Sequence, residues 1–180
     1  MRRTLVFIGL AVAAGAGSVS LFAQKSPYPP PKPEAVAPAG SLTRGGQLVR
    51  LGGCDDCHTP KLQGGAPDLS RRFSGHPQNG PLPPETAGAI TTNMMLTAWR
   101  GPWGLTLTAN ITPDKETGIG GWTAADFKKT LRTGVDPTGY VIRPPMPIAT
   151  LQNLPDADLE AIFRFLQAQK PIKNAVGKTR

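Results

Sequence analysis

Apolar residues near the C-terminus recur with the period of an α-helix. They stand at i, i+3, i+4 and i+7: Leu159, Ile162, Phe163 and Leu166. This spacing puts all four side chains on one helix face, so we predict a helix over residues 156–169, which Pro171 follows. Because a short helix gains most of its stability from packing its apolar face, the helix needs a partner in the core.

A second group of apolar residues lies upstream: Leu48, Val49 and Leu51. Ser41 and Thr43 precede it, and either side chain can cap a helix N-terminus. Gly52-Gly53 then interrupts the pattern. We therefore predict a short helix ending before residue 52, and we expect it to pack against the C-terminal helix.

A third helix is predicted to begin after Thr123. The Thr123 hydroxyl can cap the first turn while Asp126 returns a hydrogen bond, and Trp122 and Phe127 stand at the positions of a hydrophobic staple. Gly134 is placed to end this helix in the left-handed conformation.

Residues 59–121 are rich in Gly, Pro, Asn and Thr and show little periodicity. Strands find little support here, and so long an irregular segment is unusual in a compact domain unless it surrounds something. The pattern as a whole predicts an all-α class, with a few short helices and long loops. Aromatic residues make up only 6% of the chain, so a bound apolar group would add core surface that the protein lacks.

The two ends of the chain differ from this core. Arg2 and Arg3 precede an uncharged apolar run at residues 5–23, which predicts a signal peptide or an N-terminal membrane anchor over residues 1–23. Residues 24–40 contain six prolines and fit an extended linker. We expect the globular domain at residues 41–174, a basic tail at residues 175–180, and export to the periplasm.

The chain has two cysteines, and both lie in one pentapeptide, Cys54-Asp55-Asp56-Cys57-His58. In a C-x-x-C-H motif each thiol can add to one vinyl group of a haem, and the histidine binds the iron. We therefore predict one haem c, attached through Cys54 and Cys57, with His58 as an iron ligand. One haem is the maximum, because no further cysteine remains.

Two other chemistries compete for this motif. A structural zinc site normally takes four ligands, whereas the only histidine outside the motif is His76. A disulfide would suit an exported protein, but Asp55 and Asp56 disfavour the thiolate that redox exchange requires. A structural disulfide would leave His58 without a role.

The opposite face of the iron needs a second ligand, and the sequence offers four residues: His76, Met94, Met95 and Met146. Prolines flank Met146 on both sides, which restricts the backbone and holds the thioether in place. We predict His58 and Met146 as the metal ligands of a six-coordinate iron. His76 is the alternative ligand, while Met94 and Met95 fit packing or a hydrophobic contact surface.

These residues together resemble the class I c-type cytochromes over residues 41–174. The stretch Gly65-Ala66-Pro67-Asp68-Leu69 resembles that family's Gly-Pro-Asn-Leu segment, and Pro145-Met146-Pro147 resembles its distal-ligand loop. The resemblance implies a cytochrome c fold wrapped around one haem. It also implies that the Pro67 carbonyl accepts a hydrogen bond from His58 and that Leu69 packs on the haem.

More narrowly, residues 109–122 are similar to cytochrome domains that accompany bacterial periplasmic dehydrogenases. We expect a periplasmic mono-haem carrier, not an enzyme, that passes one electron between a dehydrogenase or membrane complex and a downstream acceptor. The alternative is a haem protein with an open distal site that binds or reduces oxygen, nitric oxide or peroxide.

The formal net charge of +8 favours redox protein partners with acidic docking surfaces. Residues 5–23 would serve as an inner-membrane tether if they are retained. Binding to nucleic acid is disfavoured, because the basic residues are dispersed and no nucleic-acid-binding motif is present.

Overall fold

The first helix begins where the sequence places a capping residue. In the computed structural model, which describes residues 37–179, helix α1 spans Leu42–Leu51, and the Ser41 hydroxyl accepts a hydrogen bond from the Arg44 N–H at 3.0 Å. Gly52 caps its C-terminus, and Gly53 takes a left-handed φ of 62° before the next helix starts. The predicted cap and the predicted interruption are both confirmed.

Four further helices follow α1 in the described part of the chain. They are α2 (Cys54–His58), α3 (Ala124–Thr133), α4 (Ile148–Leu151) and α5 (Asp156–Gln167), with a 3-10 turn at Leu69–Arg71 between α2 and α3. Helix α3 has the predicted capping box between Thr123 and Asp126, and Gly134 ends it with φ 69°. Helix α5 confirms the helical period read from the C-terminal apolar residues.

The core forms where α1 crosses α5. Ten buried apolar side chains make up one cluster: Leu48, Val49, Phe73, Ile119, Phe127, Leu131, Leu159, Ile162, Phe163 and Leu166. The two helices approach so closely at Gly45 that a Cβ there would lie 2.1 Å from the Ala161 carbonyl oxygen. Beside this crossing, the Arg44 guanidinium donates two hydrogen bonds to the Asp158 carboxylate, at 3.0 and 2.8 Å. The predicted pairing of these helices is confirmed.

The segment in which strands found little support contains a small antiparallel sheet, so the described residues form five helices, this sheet and long loops, and a purely all-α class is not confirmed. The strands of the sheet are β1 (Thr91–Thr92), β2 (Ala98–Gly101) and β3 (Gly104–Leu107), in the order β1-β2-β3. A two-residue turn at Pro102 and Trp103 joins β2 to β3, since Gly101 pairs with Gly104. Strands of two to four residues are too short to show a period of two in the sequence.

The described residues all belong to one compact unit. The predicted leader at residues 1–23 and most of the predicted linker lie outside the described residues. Within residues 37–179, no helix has both the length and the apolar character needed to cross a membrane. Near the C-terminus, Lys178 pairs with Asp136 at 2.5 Å, and the Thr179 hydroxyl donates to the Leu105 carbonyl.

Candidate haem-binding site

Helix α2 carries the C-x-x-C-H motif and is closed at its C-terminal end by a lysine. The Lys61 ammonium donates hydrogen bonds to the carbonyl oxygens of Asp55, Asp56 and Thr59, at 3.1, 2.8 and 2.7 Å. A cation at this end also favours the helix, because the last carbonyls of a helix are otherwise unpaired. The five residues of the motif therefore hold one turn of helix although they are too few to form one alone.

An ion pair fixes the outer side of this helix. Arg72 donates two hydrogen bonds to the Asp55 carboxylate, at 2.8 and 2.6 Å, and its guanidinium lies 4.5 Å from the centre of the Phe73 ring. The Thr59 hydroxyl adds a third hydrogen bond to Asp55, at 3.0 Å. Burial acts to raise the pKa of Asp55, but the Arg72 and Thr59 contacts lower it overall. Asp55 is therefore ionised and anchors the motif to the loop that follows.

Both cysteines are free, half-buried thiols. Burial, and secondarily the charge of Asp55, raises the pKa of Cys54 to about 11, while burial and the charge of Asp56 raise the pKa of Cys57. Both groups are therefore protonated at neutral pH, whereas thiol–disulfide exchange requires a thiolate. The electrostatics do not favour the redox-disulfide interpretation of the motif.

His58 is held as a neutral imidazole with one defined tautomer. The side chain is only 8% exposed, and its Nδ1–H donates to the Ala109 carbonyl oxygen at 2.7 Å. Burial lowers the pKa of His58, opposed in part by the Ala109 hydrogen bond. Because Nδ1 carries the proton, the lone pair resides on Nε2, which is the form in which histidine binds a metal.

The acceptor for His58 differs from the one that the family resemblance implied. Pro67 is exposed in the loop after α2, where it forms an antiparallel β-bridge with Lys61. The His58 ring donates to the Ala109 carbonyl and not to the Pro67 carbonyl. The reason is that the long segment after the motif folds back and brings residues 108–111 against the histidine. Leu69 is 69% exposed, and its packing on a haem stays a prediction.

Met146 lies at the edge of the apolar core. It is half-buried and packs against the core cluster, as does Cys54. The loop that carries it is tied to the small sheet, because the Trp103 indole donates to the Thr106 hydroxyl at 3.0 Å, which in turn donates to the Pro144 carbonyl at 2.8 Å. Sequence reasoning missed this connection, since it joins residues about forty positions apart. Met146 as an iron ligand stays a prediction.

The other possible ligands lie in different surroundings. His76 is buried, and its Nδ1 is hydrogen-bonded to the Thr97 hydroxyl at 3.0 Å. Burial lowers the pKa of His76, opposed by a hydrogen bond with the Gly80 backbone. Met94 is 90% exposed. His76 thus has the surroundings of a hydrogen-bonded core histidine, and Met94 those of a surface residue.

The residues of the site fit a covalently attached haem. Two protonated thiols, an imidazole with a free Nε2 and a thioether at the edge of the apolar core are the groups that such a cofactor requires. Within residues 37–179, no group of three or more His, Cys, Asp or Glu side chains is arranged to hold a metal ion. The site fits a haem because it offers these side chains and because the hydrogen bond to Ala109 fixes the His58 tautomer that can bind iron.

Comparison with known proteins identifies the class. The chain contains a c-type cytochrome domain, since its relatives include cytochrome c subunits of bacterial dehydrogenases. The gluconate 2-dehydrogenase cytochrome c subunit of Pantoea cypripedii is 32% identical over 135 residues, which is 74% of this chain. A nicotinate dehydrogenase subunit of Pseudomonas putida is 30% identical over 165 residues, or 92% of this chain. A diheme cytochrome c-type protein of Cereibacter sphaeroides is 29% identical over 175 residues, or 97% of this chain.

These relatives are longer than the chain. The matched regions span 24% of the Pantoea protein, 12% of the Pseudomonas protein and 51% of the Cereibacter protein. No protein-family model matches the sequence. The comparisons therefore identify a cytochrome domain, and haem c as the cofactor of that class, rather than the activity of any whole relative.

Proposed function

We propose that this protein is a periplasmic mono-haem electron carrier that accepts one electron from a dehydrogenase or membrane complex and delivers it to a downstream acceptor. The single observation that carries the proposal is the buried, neutral His58, whose Nδ1–H is bonded to Ala109 so that Nε2 is free for iron. The haem would supply reversible one-electron chemistry. The relatives' names support a place beside a dehydrogenase.

The protein's own residues would hold the cofactor on two sides. Cys54 and Cys57 would form the thioethers on α2, with His58 as the proximal ligand. Met146 would be the distal ligand, in a loop that the Thr106–Pro144 hydrogen bond fixes. If His58 and Met146 both bound the iron, no position on it would remain for a substrate, which would suit a carrier rather than an enzyme.

Charge supports docking onto an acidic partner. The chain carries 20 Lys and Arg residues against 12 Asp and Glu residues, and a basic surface speeds encounter with acidic proteins. We further propose that residues 41–174 form the cytochrome domain. Residues 1–23 would be a signal peptide or an inner-membrane tether, residues 24–40 a linker, and residues 175–180 a basic tail.

Carbon monoxide tests the proposal against a haem protein with an open distal site. The protein is produced in cells that carry a haem c maturation system, purified, reduced and exposed to carbon monoxide, while its visible spectrum is recorded. A carrier with two protein ligands cycles reversibly between oxidised and reduced spectra and binds little or no carbon monoxide. Rapid binding by the native ferrous protein would refute the carrier and favour ligand binding or catalysis at the iron.

A further inference from the structure

Gly75 is hydrogen-bonded to the His58 backbone and lies against the residue that accepts the hydrogen bond of the His58 ring. The Gly75 N–H donates to the main-chain carbonyl of His58 at 2.8 Å, and the His58 ring donates to the Ala109 carbonyl at 2.7 Å. Gly75 is buried and lies directly against the Ala109 peptide group. Gly75 therefore lies between the main chain of His58 and the Ala109 carbonyl that accepts the hydrogen bond from the His58 ring.

The space at Gly75 admits no side chain. A Cβ at this position would lie 2.5 Å from both the carbonyl carbon and the oxygen of Ala109, and 2.4 Å from the Thr108 oxygen. These are backbone atoms, which cannot rotate away as the end of a side chain can. The φ of Gly75 is 75°, in the left-handed region that glycine adopts at little cost.

Two backbone hydrogen bonds keep the neighbouring segments at this separation. The His76 N–H donates to the Thr108 carbonyl at 2.9 Å, and the Ile111 N–H donates to the Phe73 carbonyl at 2.9 Å. They lie on either side of Gly75 along the paired segments 73–76 and 108–111. If a side chain at position 75 pushed the two segments apart, these flanking hydrogen bonds would hold the rest of both segments together. The displacement would therefore move the Ala109 carbonyl relative to the imidazole.

Asn174 fastens the same segment from its other side. The Asn174 side-chain amide donates to the carbonyls of Ser74 and His76, at 2.7 and 2.8 Å. Its backbone N–H donates to the Thr117 hydroxyl at 2.9 Å. Asn174 thus bonds the residues immediately before and after Gly75 and ties them to the region that follows Ala109.

We propose that Gly75, supported by Asn174, is a positioning residue that sets the reduction potential of the haem through His58. The inference rests on the proposed function, because it takes His58 as the iron ligand. A carbonyl close to Nδ1–H makes the imidazole a stronger donor to iron, and stronger donation favours the ferric state. Gly75 leaves room for the Ala109 carbonyl to lie close to the imidazole. The reduction potential of the haem is therefore lower than it would be if that carbonyl were displaced.

A matched pair of glycines tests this role. Gly88 has a φ of 72°, close to that of Gly75, but no atom lies within 4 Å of the place where its Cβ would stand. Gly75→Ala and Gly88→Ala therefore impose the same strain of a positive φ on alanine, but only the Gly75→Ala side chain collides with neighbouring atoms. Both are made as haem-loaded protein, and the reduction potential is measured by spectroelectrochemical titration. The exchange of the His58 Nδ1 proton with solvent is followed by NMR of the ferrous state.

We expect Gly75→Ala to raise the potential and to speed the exchange of the Nδ1 proton, while Gly88→Ala leaves both unchanged. A Gly75→Ala protein with the wild-type potential and exchange rate would overturn the proposal. If Gly75→Ala yields no haem-loaded protein, Asn174→Ala decides, with Lys173→Ala as its control on the neighbouring exposed residue. A smaller shift in the same directions supports the role of Gly75, and an unchanged potential and exchange rate overturn it.

Failure of the underlying function has a different signature. If His58 does not bind iron, the wild-type protein itself lacks the low-spin spectrum of a histidine-ligated haem c. The positioning role fails alone when the wild-type protein shows that spectrum and the variants at position 75 and position 174 keep its potential.

Discussion

The contact between α1 and α5 at Gly45 makes a strong prediction about stability. In Gly45→Ala the new Cβ would stand 2.1 Å from the Ala161 oxygen and 2.8 Å from the Phe165 Cβ, whereas ordinary contacts lie at 3.4–4 Å. The helices must therefore move apart at this point, because both of these neighbours are held by the backbone of α5. Overpacking of this kind costs about 3 kcal/mol at the upper end of its usual range. The better helix propensity of alanine returns about 1 kcal/mol.

The net loss of about 2 kcal/mol corresponds to a fall in Tm of roughly 8 °C at about 4 °C per kcal/mol for a domain of this size. Thermal unfolding of the haem-loaded protein by circular dichroism measures it. Gly46→Ala is the matched control in the same helix, since its Cβ would meet side-chain atoms rather than backbone: two Phe165 ring carbons at 3.0 and 3.3 Å and the Arg50 Nη1 at 3.7 Å. We expect Gly46→Ala to stay within about 1 kcal/mol of wild type. A Gly45→Ala protein at least as stable as wild type would refute this account of the crossing.

Three further predictions concern the site and its support. Met146→Ala removes the proposed distal thioether, so the methionine-to-iron charge-transfer band of the ferric spectrum disappears and the ferrous protein binds carbon monoxide. Asp158→Asn lowers the Tm at pH 7 by several degrees, because hydrogen bonds from Arg44 hold the pKa of Asp158 below its ordinary value; thermal unfolding against pH measures the difference. In protein made without haem, with Cys57→Ser to isolate one thiol, alkylation of Cys54 by iodoacetamide is slow at pH 8 and accelerates toward pH 11, since burial raises the pKa of Cys54 to about 11.

Each of these has a control or a contrary outcome. Met94→Ala should leave the spectrum unchanged, and survival of the charge-transfer band in Met146→Ala would remove Met146 as the ligand. A group with a lowered pKa in the folded state stabilises the protein above its unfolded pKa, about 4 for Asp. The gap between wild type and Asp158→Asn should therefore shrink as the pH falls below 4, and a gap independent of pH would contradict the ion-pair explanation. Rapid alkylation of Cys54 at pH 8 would show that its thiol is not buried as described.

Local patterns in the sequence predicted the helical part of the fold. Ser41 and Thr123 cap helices because their hydroxyls reach backbone N–H groups within one turn. Gly134 ends α3 because it adopts a left-handed φ. Such features depend only on residues within a turn or two, so a single sequence carries the information. The pairing of α1 with α5 followed because each had one unpartnered apolar face.

The sheet and the acceptor for His58 depend on contacts between distant residues, so the sequence did not predict them. Strands β1 to β3 are held by their pairing and by the link from Thr106 to Pro144. Pro67 was assigned from the spacing in a resembling family, but the long segment after the motif places Ala109 at the imidazole instead. The segment that begins at Ala109 did carry a signal, its similarity to cytochrome domains that accompany dehydrogenases, but that similarity does not indicate that the Ala109 carbonyl contacts His58.

The mass of the denatured protein tests the central claim most directly. Protein made with a haem c maturation system is denatured, extracted with acidified solvent and weighed by mass spectrometry, alongside the double variant Cys54→Ser, Cys57→Ser. We predict that the wild-type polypeptide retains the mass of one haem and that the double variant does not. A wild-type polypeptide without that added mass, or one that loses its haem to the solvent, would contradict covalent attachment at Cys54 and Cys57.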